Sequence, residues 1–236
     1  MRILIFSDIH ANPWAIRAIE QESGHWDHVL FLGDAVNYGP DPRGALAWLR
    51  DRRAIGVRGN HDQAVATGAD PKASPAKQPL ALAMRDWTHD QLDTDDLDWL
   101  VRLPITLTWE IAGCRLALVH ATPSDPLYDY RVAPQASDHL LREITGAIKA
   151  DVLLMGHTHR PFLRQLGKVT ITNPGSAGQP LDGDPRAAYA MWEDGRITLG
   201  WAAYDQMACV KCLSELPLPA AHREQLIAIL HAGQIG

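Results

Sequence analysis

The sequence predicts an α/β fold, and three observations predict it. Short apolar, β-branched runs alternate with segments of helical period. The first five of these runs lead into Asp, Asn or His, in three cases through a glycine. Late in the chain, Asp194-Gly195 sits between two alternating stretches, the signature of a two-residue hairpin turn. A composition of 46% hydrophobic and 21% charged residues fits an ordinary globular protein. We read residues 1–236 as one domain.

The predicted strands are "RILIFS" (2–7), "HVLFLG" (28–33), "AIGVRG" (54–59), "RLALVH" (115–120), "DVLLMG" (151–156) and "KVTITN" (168–173). Helices are expected over 13–23, with Pro13 in the first turn, and over 43–52, 135–149 and 220–232. Residues 64–104 break the alternation. Pro71, Pro75 and Pro79 make a loop. Two helical stretches follow, at 79–91 and 95–102, the second with Thr94 as its N-cap and Asp95 and Asp96 in its first turn. This segment reads as an inserted helical hairpin, a cap.

Bulk properties exclude several function classes. The net charge is −6 and the basic residues are scattered, so no stable nucleic-acid binding is expected. The apolar run at 3–6 is too short for a secretory h-region and meets Asp8 at once. No run approaches the ~20 apolar residues of a membrane span. Three cysteines do not read as a disulfide framework, and a cytoplasmic protein is expected.

The chemistry gathers where the strands end. The first run leads into Ser7-Asp8-Ile9-His10, the second into Asp34, and the third into Asn60-His61-Asp62. The fourth ends in His120 and the fifth leads into His157-Thr158-His159. In open α/β sheets the C-terminal edge of the strands is where ligands bind. Asp8 and His10 are two apart, as are His157 and His159; in an extended segment such pairs point to one side. Any one of these residues alone is read most simply as a capping or hydrogen-bonded group. Together they make four imidazoles, two carboxylates and an amide, a donor set for two adjacent ions of Mn, Fe, Zn, Co or Ni.

The blocks "SDIHAN", "GDAVNYGPDP", "VRGNHD", "VHATP" and "MGHTHRP" resemble, in order and spacing, the motifs of the calcineurin-like metallophosphoesterases. The likeness covers about residues 1–180. It implies a four-layer α/β/β/α sandwich of two mixed β-sheets flanked by helices. It also implies two divalent cations, with manganese taken first. One would be held by Asp8, His10, Asp34 and His159, the other by Asp34, Asn60, His120 and His157, with Asp34 bridging. His61 stands at the family's catalytic histidine. Two cations about 3.5–4 Å apart lower the pKa of a shared water, and the hydroxide attacks phosphorus in line. His61 would stabilise or protonate the leaving alkoxide. Arg58 is a candidate to clamp a phosphate oxygen, or else a surface residue.

One departure sets the branch. Where protein Ser/Thr phosphatases carry an Asp that orients the catalytic histidine and an Arg for phosphate, this chain has Asn37 and Tyr38. An amide raises an imidazole's pKa far less than a carboxylate, so a neutral His61 is expected. The variant resembles the small bacterial and archaeal phosphodiesterases. The implied activity is hydrolysis of a phosphodiester or phosphoanhydride in a small, nucleotide-like substrate. A phosphomonoesterase, a protein Ser/Thr phosphatase and a dinucleoside polyphosphate hydrolase are the alternatives, and a non-catalytic scaffold on the same fold is the non-enzyme alternative. "NPGSAGQP" (173–180) reads equally as a loop closing the phosphate rim or as a plain turn. Cys209-x-x-Cys212 lacks the second pair of a zinc site and is set aside. His89 and Asp90 are read as a solvated helix face, and Trp87 and Trp99 as packing anchors.

Overall fold

The computed structural model describes residues 1–146 and 148–234. Ten strands form two five-stranded mixed sheets. In the first, β1 (Arg2–Phe6), β2 (His28–Phe31) and β3 (Ile55–Gly56) run parallel. The hairpin β9 (Ala187–Glu193) and β10 (Arg196–Ala202) adds antiparallel to β1, giving the order β10-β9-β1-β2-β3. The second sheet has the order β4-β5-β6-β8-β7. There β5 (Cys114–Val119), β6 (Val152–Leu154) and β8 (Val169–Asn173) are parallel, with β4 (Thr106–Ile111) and β7 (Phe162–Leu166) antiparallel at the edges.

Side-chain alternation along the strands makes the layers. Ile3, Ile5, Leu30 and Leu32 pack against Leu116, Leu118, Val152 and Leu154 between the sheets. The intervening Leu4, Phe6, Val29 and Phe31 face outward onto Ile16 and Ile19 of α1 (Pro13–Ser23) and Leu46 and Leu49 of α2 (Pro42–Asp51). On the far side, Ala117, Val119 and Leu153 meet Leu141 and Ile144 of α6 (Asp138–Thr145). This is the four-layer arrangement.

The insert has the two expected helices, α4 (Gln78–Gln91) and α5 (Thr94–Arg102). The N-cap of α5 is Asp93, whose carboxylate accepts from the Asp96 amide, and not Thr94. The helices dock on different clusters. Trp99 and Leu100 join the α1–α2 side. Leu80 and Met84, with Trp87 against them, pack with Cys209 and Leu213 of α7 (Gln206–Ser214) and Leu226 and Leu230 of α8 (Ala220–Ala232). Cys209 is thus a core residue, and its thiol is pushed up to about 12 by burial.

Other differences have local causes. The expected strand at 54–59 shrinks to Ile55–Gly56, since the Arg58 amide leaves the β2 ladder for the Pro104 carbonyl before α3 (Asn60–Thr67) begins. The helix at 135–149 shortens to α6, held at its start by Ser137, whose side chain accepts from Leu140; position 147 lies outside the described residues. The helices α3 and α7 and the strands β4 and β7 are additional. No helix among the described residues is long and apolar enough to cross a membrane.

Candidate metal centre and catalytic site

The ends of β1, β2, β5 and β6, with the first turn of α3, bring all seven candidate ligands into one buried cluster. Asp8 Oδ1 lies 3.3 Å from His159 Nε2 and 4.0 Å from His10 Nε2. The two imidazole nitrogens are 3.2 Å apart. On the other side, His120 Nε2 is 2.9 Å from Asn60 Oδ1 and 3.1 Å from His157 Nδ1. Asp34 Oδ2 lies between, 3.8 Å from His10 and 3.3 Å from His120. Its other oxygen is occupied by the His61 amide at 2.9 Å.

The pairs two residues apart do converge, but not as extended strand. β1 ends at Phe6, and Asp8 and His10 have φ of 53° and 46°. Asp34, His157 and His159 also lie at positive φ. Non-glycine residues held there cost roughly 1–3 kcal/mol each, a strain typical of functional sites. Glycines make room for this crowding. Gly33 has φ +96°, and a Cβ on it would lie 2.6 Å from His120 Nδ1. A Cβ on Gly59 would lie 2.0 Å from Asp34 Oδ1.

Three imidazoles are aimed from behind. His10, His120 and His159 each donate Nδ1–H to a backbone carbonyl, of Val36, Leu32 and Gln179 respectively. That fixes the tautomer with the Nε2 lone pair inward. His157 differs and turns Nδ1 inward. Asn60 Nδ2 donates to the Pro71 carbonyl at 2.8 Å, which leaves Oδ1 facing the cluster.

This donor set fits divalent cations. Lone pairs of neighbouring imidazoles point at each other at 3.2 Å, an arrangement that needs a cation or a proton between them. Asp8 Oδ1 is buried with no hydrogen-bond partner. Asp8 with His10 and His159, and Asp8 with Asp34 and His120, each offer donor atoms within 4.8 Å of one another. Burial opposes a charged His120, yet Asp34 pushes its pKa up to about 9. In the metal-free protein a proton on His120 thus supplies the positive charge that the carboxylate requires. Cation binding would displace it.

His61 lies beside the cluster, its ring 5.2 Å from that of His10 and 4.7 Å from that of Tyr38. The Asn37 amide meets its Nδ1 at 2.6 Å. The amide's orientation follows from its other contacts: Oδ1 accepts from the Tyr38 amide and Nδ2 donates to the Ala81 carbonyl. Nδ1 of His61 therefore accepts, and Nε2 carries the proton. Burial pushes the imidazole down to about 4 despite Asp34. With Asn37→Asp, a carboxylate replaces the amide donor and the His61 pKa in the metal-free protein should rise by about 1–3 units. An NMR titration of the ring checks this; an unmoved midpoint would show that Asn37 does not set the His61 charge.

Several site residues escaped sequence reasoning. Asp62 is wholly buried and accepts four backbone amides, from Asp34, Ala35, Val36 and Gly59. It ties the β2 loop to the start of α3. Asp62→Ala should destabilise the metal-free protein by about 3 kcal/mol or more, since several buried amides lose their acceptor. A lower urea midpoint at unchanged slope is the expected readout. The loop 173–180 buttresses the site: Ser176 Oγ donates to the Asp8 carbonyl, as does the Gly178 amide. The Gln179 side chain accepts from the Lys77 ammonium at 2.9 Å. Tyr130 stacks on His157, with ring centroids 3.9 Å apart.

Arg58 is not brought to the cluster. Its guanidinium donates to the Val101 carbonyl near the end of α5. His89 and Asp90 line a separate surface depression with Val65 and Arg85. The cavity over the cluster is about 210 Å³ and is lined by Asp34, His61, His157 and His159 together with Tyr38, Lys77 and Tyr130.

Comparison with known proteins agrees with this geometry. Residues 1–194 match the calcineurin-like phosphoesterase superfamily domain. The chain is 28% identical over 211 residues to phosphodiesterase YfcE of Escherichia coli, covering 82% of this chain and 88% of that one. It is likewise 28% identical to an uncharacterised protein of Methanocaldococcus jannaschii, covering 86% and 88%. A metallophosphoesterase from Sphaerobacter thermophilus superposes with a TM-score of 0.82 at 32% identity, over 99% of this chain and 100% of that one. A hypothetical protein from Pyrococcus horikoshii shares the fold, with a TM-score of 0.85 at 22% identity over 100% and 99%. With its buried Asp/His cluster at the strand ends, the chain belongs to the calcineurin-like phosphoesterase superfamily and is a metal-dependent phosphoester hydrolase.

Proposed function

We propose that this protein hydrolyses a phosphodiester or phosphoanhydride of a small, nucleotide-like substrate at a dinuclear centre, with manganese as the first candidate metal. The ligands are Asp8, His10, Asp34 and His159 on one side and Asp34, Asn60, His120 and His157 on the other. The observation that carries the reading is the convergence of inward-facing lone pairs around Asp34 Oδ2, within reach of both halves. When bound, two cations supply a nucleophilic hydroxide at neutral pH and neutralise charge on the phosphoryl oxygens.

The chain's residues do the rest. The backbone carbonyls behind His10, His120 and His159 keep the rings in one tautomer. Neutral His61, with Nε2–H free, donates to the leaving oxygen and stabilises its developing charge. Arg58 has no part in this, because its guanidinium is engaged at Val101. The segment 64–104 is a cap on the leaving-group side, through the Pro71 carbonyl on Asn60 and Lys77 on the cavity wall. The 28% identity to a phosphodiesterase and the small cavity support a small-molecule substrate over a phosphoprotein. The three free thiols suit a reducing cytoplasm.

The test is a panel on metal-stripped protein reloaded with Mn, Ni or Zn. An aryl diester, an aryl monoester, a cyclic nucleotide and a dinucleoside polyphosphate distinguish the branches. Two equivalents of metal with turnover of the diester or polyphosphate are expected. One equivalent at full activity would sink the dinuclear reading.

A further inference from the structure

The insert supplies a cation where the sequence lacks one. By the family resemblance, Tyr38 stands where the protein phosphatases carry a phosphate-binding arginine. The Lys77 ammonium sits 4.9 Å from the centroid of the Tyr38 ring. Lys77 immediately precedes α4, is only 6% exposed, and lines the same cavity as Asp34, His61, His157 and His159. Lysine is almost never buried this deeply unless paired. Its polar contact here is a neutral amide oxygen, that of Gln179. The carboxylates that act on its charge are Asp8 and Asp34, and both are committed to cations in the function proposed above. Two carboxylates cannot neutralise two divalent cations, and an ammonium adds to the surplus. A cavity with surplus positive charge and a buried ammonium with spare donors suits an anion.

The substrate's oxygens can be assigned from this. A phosphoryl group under in-line attack presents three equatorial positions. In a terminal phosphate all three are charged non-bridging oxygens. In a diester one is an ester oxygen with little charge. Two cations account for two of them.

We propose that Lys77 is the phosphate clamp of this site and takes the third equatorial oxygen. Within the proposed substrate classes it thereby favours the terminal phosphate of a phosphoanhydride chain over an internal diester. This deepens the proposed function and rests on it.

The experiment compares wild type with Lys77→Met and Lys77→Arg, each loaded with manganese, by calorimetric titration with inorganic phosphate. Lys77→Met should weaken phosphate binding at least about tenfold at unchanged manganese stoichiometry, whereas Lys77→Arg should stay within about threefold of wild type, as expected for a charge-assisted bond. In parallel, kcat/KM of Lys77→Met should fall at least about tenfold more for a nucleoside triphosphate than for an aryl diester. Phosphate affinity within about twofold of wild type, or equal losses on both substrates, would overturn the assignment. Should Lys77→Met not fold, Lys77→Gln serves the same comparison. Failure of the underlying function looks different: wild type would take up no manganese and turn over neither substrate.

Discussion

Replacing Asp34 by Asn is expected to empty the site of at least one cation and lower turnover by at least about 10³-fold. The inner oxygen of this carboxylate lies 3.8 Å from His10 and 3.3 Å from His120, within reach of both halves of the cluster. An amide there removes a negative charge from a pocket where imidazoles supply none. It also presents either a weaker oxygen donor or an N–H to the cations. Loss of an outer partner of a ligand already costs 10–100-fold in affinity, and loss of a shared carboxylate should cost more. Metal analysis after gel filtration, together with kcat at saturating manganese, checks this. Two retained equivalents with near wild-type kcat would remove Asp34 from the bridging role.

His61→Ala should have a comparable effect on rate and none on metal content. Its ring nitrogens stand outside the proposed ligand set: Nδ1 accepts from Asn37 and Nε2 carries the proton. The link between position 61 and the metal centre is the backbone amide donating to Asp34 Oδ1, which survives the substitution. The variant should keep its cations while kcat falls about 10²–10⁴-fold, the usual contribution of a positioned proton donor. The loss should shrink for substrates whose leaving group is already a weak base. An equal loss for good and poor leaving groups would show that His61 acts elsewhere than on the leaving oxygen.

The clustering of Asp, Asn and His residues was legible because each follows an apolar strand, and a run of buried residues that ends in Asp or His is conspicuous in the chain. The hairpin at Asp194-Gly195 was legible for a similar reason, since both turn residues adopt positive φ as that turn type requires. What supports the cluster was less legible. Asp62 follows the Asn-His pair and reads as one more polar residue; its four amide partners lie in segments more than twenty residues away or just before it. Lys77 sits in a Pro- and Ala-rich stretch whose composition says loop, and its burial against Tyr38 and Gln179 shows only in the fold. Arg58 shows the reverse failing: two residues from Asn60 in sequence, it donates instead to the Val101 carbonyl on α5. Edge strand β4 does alternate, with Leu107, Trp109 and Ile111 packed toward the inter-sheet layer and Thr106, Thr108 and Glu110 outward, a period that was there to be read; β7 (FLRQL) alternates with less apolar contrast.

The proposed ligands divide by sheet. Asp8, His10, Asp34 and Asn60 come from the first, and His120, His157 and His159 from the second. Cations bound among them would rivet the two halves of the sandwich at one edge, while the apolar layer behind holds the rest. Metal occupancy and the closing of that seam are then one equilibrium, and saturating manganese at a thousand times its dissociation constant would resist separation of the sheets by about 4 kcal/mol. A blow to the proposed ligands of either sheet should loosen the grip of both, so that chelation softens the protein where the strand ends of the two sheets meet.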